Sequence, residues 1–271
     1  MKVWVQEMRW EEVRDHLQKD DVVIIPVGST EQHGTHLPLG TDSMVAIALA
    51  EDAAKEAGAL VAPPIWFGWS PHHMAYPGTI TIRPETLIEL IMDVCRSLIY
   101  HGFHRLIILN GHRVANMAPL YRRHQAEGAE QTGAYVAVAD PFFIGDRIGR
   151  EVRESEPGGL GHADELETSH LLYFTGELAD MSKARKRIGA VGRFCYFHLH
   201  DPLIEADSVF LSSTAEEFKR KTAPTGVSGD PTLATREKGE RYHRALVENL
   251  VALIEEARAT NVSIKGTEIP V

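Results

Sequence analysis

Two cysteines in 271 residues are too few for a disulfide framework. Cys95 falls in an amphipathic helical pattern and Cys195 in an aromatic, strand-like stretch, so both read as buried apolar filler rather than as nucleophiles. Long apolar runs are missing as well. The longest, such as Val22–Val27 and Leu106–Leu109, fall far short of the roughly 20 residues that cross a bilayer. The start of the chain, MKVWVQEMRW, shows no basic segment followed by an apolar stretch and a cleavage site, which sets the expectation of a cytoplasmic protein with no membrane association. Positive charge is in the minority, 28 basic against 38 acidic residues for a formal charge of −10, and this argues against nucleic acid as a partner. No G-x-G-x-x-G or G-x-x-x-x-G-K-[ST] loop follows a strand-like run, so nucleotide binding has no support. No repeat, low-complexity tract or linker divides the chain, and residues 1–271 are expected to form one domain.

What is present is an alternation of short β-branched runs with longer helical patterns. VVIIPV (22–27), GALVAPP (58–64), RLIILN (105–110) and AYVAVAD (134–140) read as strands. Helical periodicity covers Ser43 to Glu56, residues 85–102, Asn116 to Glu127 and Thr232 to Ala259. Strands alternating with helices predict an α/β fold, a three-layer α/β/α sandwich with a mostly parallel central sheet. In such sheets functional loops lie beyond the carboxyl ends of the strands.

Two histidine-bearing loops satisfy that geometry. VVIIPVG runs into STEQHGTHLPLGTD, and RLIILN runs into GHRVAN. Glu31 and His33 lie two apart, so in extended backbone both side chains point the same way. Asp42 follows nine residues later at the start of a helix, where it suits either a bridging carboxylate or a helix N-cap. With His112 arriving at the same sheet edge, the set favours a metal: hard oxygen donors mixed with imidazole suit Zn²⁺, Mn²⁺ or Fe²⁺.

PVGSTEQHGTHLPLGTD (26–42) resembles the signature of the creatininase family of metal-dependent amidohydrolases. HHMAYPGTITI (72–82), LNGH (109–112), HADELETS (162–169) and GVSGDPTLATREKGE (226–240) continue the resemblance in family order. It implies two divalent metal ions, zinc and/or manganese, and a homo-oligomer, usually a hexamer. By position Glu31 and His112 match ligands of one ion, His33 matches a ligand of the other, Asp42 the bridge, and His162 the histidine that handles substrate and protons. Ser70 lies near a substrate-contacting position, and His73 and Arg113 are candidates to line the entrance and bind substrate. Two departures stand out. A further ligand position is occupied here by Val114, for which Glu167 is the candidate replacement, against a reading of Asp164-x-x-Glu167 as a helix capping box. The aromatic residue that holds creatinine upstream of His162 is replaced by Pro157-Gly158-Gly159, and Trp66 and Trp69 read instead as pocket wall or core. His36 is a candidate for orienting the metal loop, while the alternating His198 and His200 read as an exposed strand face.

The implied chemistry is the opening of a small ring by attack of metal-bound hydroxide on a carbonyl. The departures disfavour creatinine and favour a polyhydroxylated, inosose-type cyclic diketone. Hydrolysis of a cyclic amide or formamide is the alternative, and a non-catalytic metal-binding scaffold is the alternative of another class. A decayed scaffold would be expected to lose its ligand residues piecemeal, and here the four positions Glu31, His33, Asp42 and His112 remain together with His162.

Overall fold

A computed structural model of the chain describes residues 2–112, 132–188 and 214–265. The predicted helix at Asn116 to Glu127, together with Arg113, Val114, Cys195, His198 and His200, lies outside the described residues. The sheet has four parallel strands in the order β2-β1-β3-β4: β1 (Val22–Val27), β2 (Leu60–Val61), β3 (Arg105–Asn110) and β4 (Tyr135–Ala139). β2 is much shorter than GALVAPP suggested, because Pro63 and Pro64 have no N–H to extend a ladder.

Alternation along β1 and β3 sorts the core into two halves. Val22, Ile24, Ile107 and Leu109 pack to one side, against Ala46, Leu49 and Ala53 of α2 (Thr41–Ala57) and against Leu246, Leu250 and Ile254 of a long C-terminal helix (Arg236–Ala259). Val23, Ile25, Leu106 and Ile108 face the other side, against Leu87, Ile91 and Cys95 of α3 (Pro84–Tyr100). This is the expected three-layer arrangement. Burial pushes the Cys95 thiol up to about 12, which fits an inert filler. No helix among the described residues is long and apolar enough to cross a membrane.

The chain passes from β1 to β2 through α2 on one face, and from β2 to β3 through α3 on the other. The connections therefore diverge between β1 and β3, and a crevice opens beyond their carboxyl ends. Three further helices are numbered with those already given: α1 (Trp10–Leu17), α4 (Glu165–Thr175) and α5 (Ala215–Thr222), so that the C-terminal helix is α6. The sequence pattern ran α6 back to Thr232. The helix starts at Arg236 because Thr235 takes the cap, its hydroxyl accepting from Lys238 N–H.

A hydrogen-bonded chain that runs inward from an exposed carboxylate joins three helices. His243 Nε2–H of α6 donates to Asp52 Oδ2 of α2 at 3.2 Å, since a carboxylate only accepts. His243 Nδ1 then accepts from His170 Nε2–H of α4 at 2.8 Å. Burial holds both imidazoles below their ordinary value, with His243 adding to the effect at His170. A depressed imidazole stabilises the fold above its unfolded value near 6.5, and that contribution fades as pH falls towards the folded value. His170→Leu is therefore expected to destabilise the protein at pH 7, and the gap from wild type should narrow as pH falls from 6.5 to 5. The steepest change is about 1.4 kcal/mol per pH unit for each extra proton bound by the unfolded chain. Denaturant midpoints of both proteins across that range test it, and a gap that stays constant would contradict the assignment.

Candidate metal centre

β1 delivers the chain into a loop that doubles back, Glu31 N–H donating to Leu39 O at 2.8 Å, before α2 begins at Thr41. The first turn of α2 presses directly on the strand ends. A side-chain carbon at Gly28 would lie 2.4 Å from Ser43 Oγ, and one at Gly111 would lie 2.2 Å from the Asp42 carbonyl oxygen. Only glycine lets β1, β3 and α2 meet this closely. Asp42 sits inside that first turn and is not the cap. Gly40 holds the cap position with no side-chain hydrogen bond, so the capping reading of Asp42 is set aside.

Three sets of ligating atoms each lie within 4.8 Å of one another among the described residues: Glu31, Asp42 and His112; His33, Asp42 and Glu167; Glu31, His33 and His162. His33 Nε2 is 3.0 Å from Asp42 Oδ1, and His112 Nδ1 is 3.0 Å from Asp42 Oδ2 and 3.4 Å from Glu31 Oε2. These approaches lack hydrogen-bond geometry. Glu31 Oε2, Asp42 Oδ2 and His33 Nε2 are fully buried without a hydrogen-bond partner. The opposite ring nitrogens explain why: His33 Nδ1–H donates to Glu31 O at 3.2 Å, and His112 Nε2–H to Trp69 O at 3.3 Å. Each imidazole thus turns a lone pair towards carboxylate lone pairs, an arrangement that a cation satisfies and that a proton satisfies less well. The donor set of buried oxygens and imidazoles fits a divalent ion.

The electrostatics carry the same demand for positive charge. Burial raises the Glu31 carboxyl above its ordinary value. Burial also opposes charge on His33 and His112, yet Asp42 at one ring and Glu31 with Asp42 at the other lift them to about 10 and about 9. Asp42 is held well below the carboxylate range despite its burial, because those two imidazoles face it. His73 and His162 differ. Burial and the neighbouring imidazoles push both well below the ordinary value.

The remaining expected residues gather around this cluster. His162 is positioned by paired backbone hydrogen bonds with Ser228 (2.7 and 3.0 Å), and its Nδ1 lies 3.8 Å from Glu31 Oε1. Ser70 is buried between Ser29 Oγ at 2.6 Å and His112 Nε2 at 3.3 Å. His73 is not at an entrance rim as expected. It is 2% exposed, and its Nε2 reaches Glu31 Oε1 at 3.1 Å. His36 stays outside the cluster, its Nε2 bonded to Thr168 Oγ1 of α4 at 3.0 Å. Trp66 and Trp69 are not core: Trp66 is 37% exposed and Trp69 half-buried, and Trp69 contributes its carbonyl. The capping box expected from Asp164-x-x-Glu167 forms only by half. Asp164 caps α4 through the N–H groups of Leu166 and Glu167, while Glu167 Oε2 accepts from Ala163 N–H at 2.5 Å and remains in the His33–Asp42 set. Two contributors carried no signal that singled them out, Gln32 between the ligand residues and Phe218 of α5, whose ring packs 4.6 Å from that of His73.

Comparison with known proteins agrees with this geometry. The family model described as creatininase, creatinine amidohydrolase, matches residues 6–254. The 3-dehydro-scyllo-inosose hydrolase of Thermotoga maritima is 31% identical over 94% of this chain and 83% of its own. The mycofactocin precursor peptide peptidase of Mycobacterium tuberculosis is 34% identical over 84% of this chain and 82% of its own. A manganese form of creatininase superposes with a TM-score of 0.75 at 25% identity, over 94% of this chain and 98% of that one. The chain belongs to the creatininase family.

The close contact at Gly111 yields a steric prediction. Gly111→Ala must push α2 away from β3, with a cost of about 1–3 kcal/mol and a loss of bound metal, because Asp42 moves with its carbonyl. Gly176→Ala, whose added carbon would meet nothing nearer than 3.9 Å, serves as the control. Elemental analysis after loading with Zn²⁺ or Mn²⁺, together with thermal melts, measures both effects. Full metal content in Gly111→Ala would refute the dependence.

Proposed function

We propose that this family member is a hydrolase with a two-cation centre that opens a small polyhydroxylated ring, a cyclic diketone of the inosose type. One observation carries the two-cation reading: Asp42 belongs to two separate donor sets, with Glu31 and His112 on one side and His33 and Glu167 on the other. Zinc and manganese suit those donors. Divalent cations held there would acidify a water molecule and polarise the carbonyl to be attacked.

The chain's own residues supply the rest. Glu31, His33, Asp42, His112 and Glu167 hold the charge and fix its position. His162 Nδ1 takes the proton released from the attacking water and returns it to the leaving atom. In a diketone that atom is carbon, which departs as an enolate stabilised by the adjacent carbonyl; in an amide it is nitrogen. Ser70 and His73 are the hydroxyl and imidazole placed to contact substrate oxygens. Upstream of His162, Gly158 and Gly159 offer no aromatic face to hold a flat ring such as creatinine. That absence and the similarity to the Thermotoga maritima hydrolase support the diketone. The second reading is C–N hydrolysis of a cyclic amide, formamide or peptide, supported by the similarity to the mycobacterial peptidase.

A panel of dehydro-inososes, creatinine, cyclic ureides, formamidopyrimidines and short peptides, tested on zinc- and manganese-loaded protein, separates the readings. Turnover of the inosose alone is expected, and efficient creatinine or peptide turnover would overturn the substrate assignment. Metal content tests the centre independently. Asp42→Ala is expected to lose both ions and all activity, whereas Glu167→Gln should bind about one ion in place of two. Two ions retained in Asp42→Ala would remove the bridge. His162→Ala is expected to keep its metals while turnover falls by roughly 10²–10⁴-fold. Loss of metal in that variant would make His162 a ligand instead.

A further inference from the structure

Gln32 lies between two ligand residues, yet its side chain turns away from the cluster and towards the two imidazoles that flank it. The orientation of its carboxamide is set by the main chain. Gly34 N–H can only donate, so the atom 3.0 Å from it is Oε1; Gly226 O can only accept, so the atom 3.1 Å from it is Nε2. The space is closed, since a side-chain carbon at Gly226 would come within 2.1 Å of Oε1. One of the two Nε2 hydrogens goes to Gly226 O. The other points at His73 Nδ1, 2.8 Å away, which must therefore accept. His73 then carries its proton on Nε2, directed at Glu31 Oε1 at 3.1 Å.

His162 is set by the same residue through its backbone. His162 Nε2 lies 2.7 Å from the Gln32 carbonyl oxygen, where a lone pair on nitrogen would oppose a lone pair on oxygen, so the proton is on Nε2 and is donated. The 2.9 Å approach of Gln32 Nε2 to the same ring nitrogen then brings two donors together and is a contact, not a bond. His162 Nδ1 is left with its lone pair facing Glu31 and His33. We infer that Gln32 is a positioning residue that fixes which ring nitrogen carries the proton in His73 and His162, so that His73 faces the centre as an N–H donor and His162 as a proton acceptor.

The two rings are close in space, with centroids 4.3 Å apart, and are equivalent as residue types. Gln32 makes them opposite in role. His73 cannot serve as a metal ligand or base through Nε2, and it presents an N–H to Glu31 or to a substrate oxygen. His162 alone is prepared to take a proton. This assignment of roles rests on the reading of the cluster as a hydrolytic centre; the tautomers themselves do not.

Ring ¹⁵N spectra of zinc-loaded protein carrying ¹⁵N-histidine test the inference, with His73→Ala and His162→Ala identifying the two sets of signals. Wild type is expected to show both rings protonated on Nε2 and unprotonated on Nδ1. In Gln32→Glu the atom facing His73 Nδ1 becomes an acceptor, so the His73 signals should exchange ranges, with Nδ1 protonated. The His162 pattern should persist there, since the backbone carbonyl remains. The wild-type spectrum decides even if Gln32→Glu fails to fold: a proton on Nδ1 of either ring overturns the inference, as does an unchanged His73 pattern in a folded Gln32→Glu protein. Zinc content of the same samples separates the two readings. The expected tautomers in a protein that binds no zinc would defeat the metal centre and leave the role of Gln32 standing.

Discussion

Asp42 reaches both donor sets because the first turn of α2 lies against the ends of β1 and β3 with no side-chain carbon between them. The contact is backbone to backbone, so it leaves little room for adjustment. It is also anchored from the other end: Ala46, Leu49, Ala50 and Ala53 bury the same helix against β1 and β3 in the main core. The small side chains of that face allow the helix to sit close, and the closeness carries Asp42 to the crevice. The amino end of α2 also places its partial positive charge beside the Asp42 carboxylate, a favourable term of about 0.3–1 kcal/mol where it is exposed and more where it is buried. Position of the acid and packing of the core are thus one constraint.

Burying acids at this depth would be prohibitive without compensating charge. The structure prepares for that charge by the way it orients its imidazoles. His33 and His112 are each tied by the outer nitrogen to a main-chain carbonyl, of Glu31 and Trp69, so their inward lone pairs are set by the path of the backbone. The flanking pair is oriented differently. His73 answers to a side-chain amide, and both it and His162 are held neutral by burial. The cluster therefore combines rings that attract positive charge with rings that resist it, within one connected set of contacts.

How much of this could be read from sequence depends on the range of the interaction. Glu31 and His33 share a side because they are two apart, and His112 follows a strand that pairs with β1 along its whole length, so local pattern placed them correctly. Ser70 and His162 were legible only through family resemblance, since nothing local distinguishes a serine before proline or a histidine after glycine. Asp42 carried two local meanings, and tertiary packing removed one of them by moving the cap to Gly40. Gln32 and the His170–His243 pair were not legible at all. Their partners lie 194, 130 and 73 residues away, and neither periodicity nor capping reports a contact of that separation.

The start of α4 shows how the Glu167 side chain is left out of the cap. The Asp164 carboxylate takes the N–H groups of Leu166 and Glu167 at the amino end of the helix. Glu167 is thereby released from the cap and instead accepts from the N–H of Ala163, four residues before it. That hydrogen bond is available because Ala163 adopts φ 52°, a left-handed conformation that costs a non-glycine residue of order 1 kcal/mol or more. The strain is held by the paired hydrogen bonds between His162 and Ser228 immediately before it. His162 and Glu167 are consequently placed by a single turn, with the strained residue as the joint between them. A displacement of one is transmitted to the other through Ala163, and His162 is thereby mechanically linked to the part of the cluster formed by Glu167, Asp42 and His33.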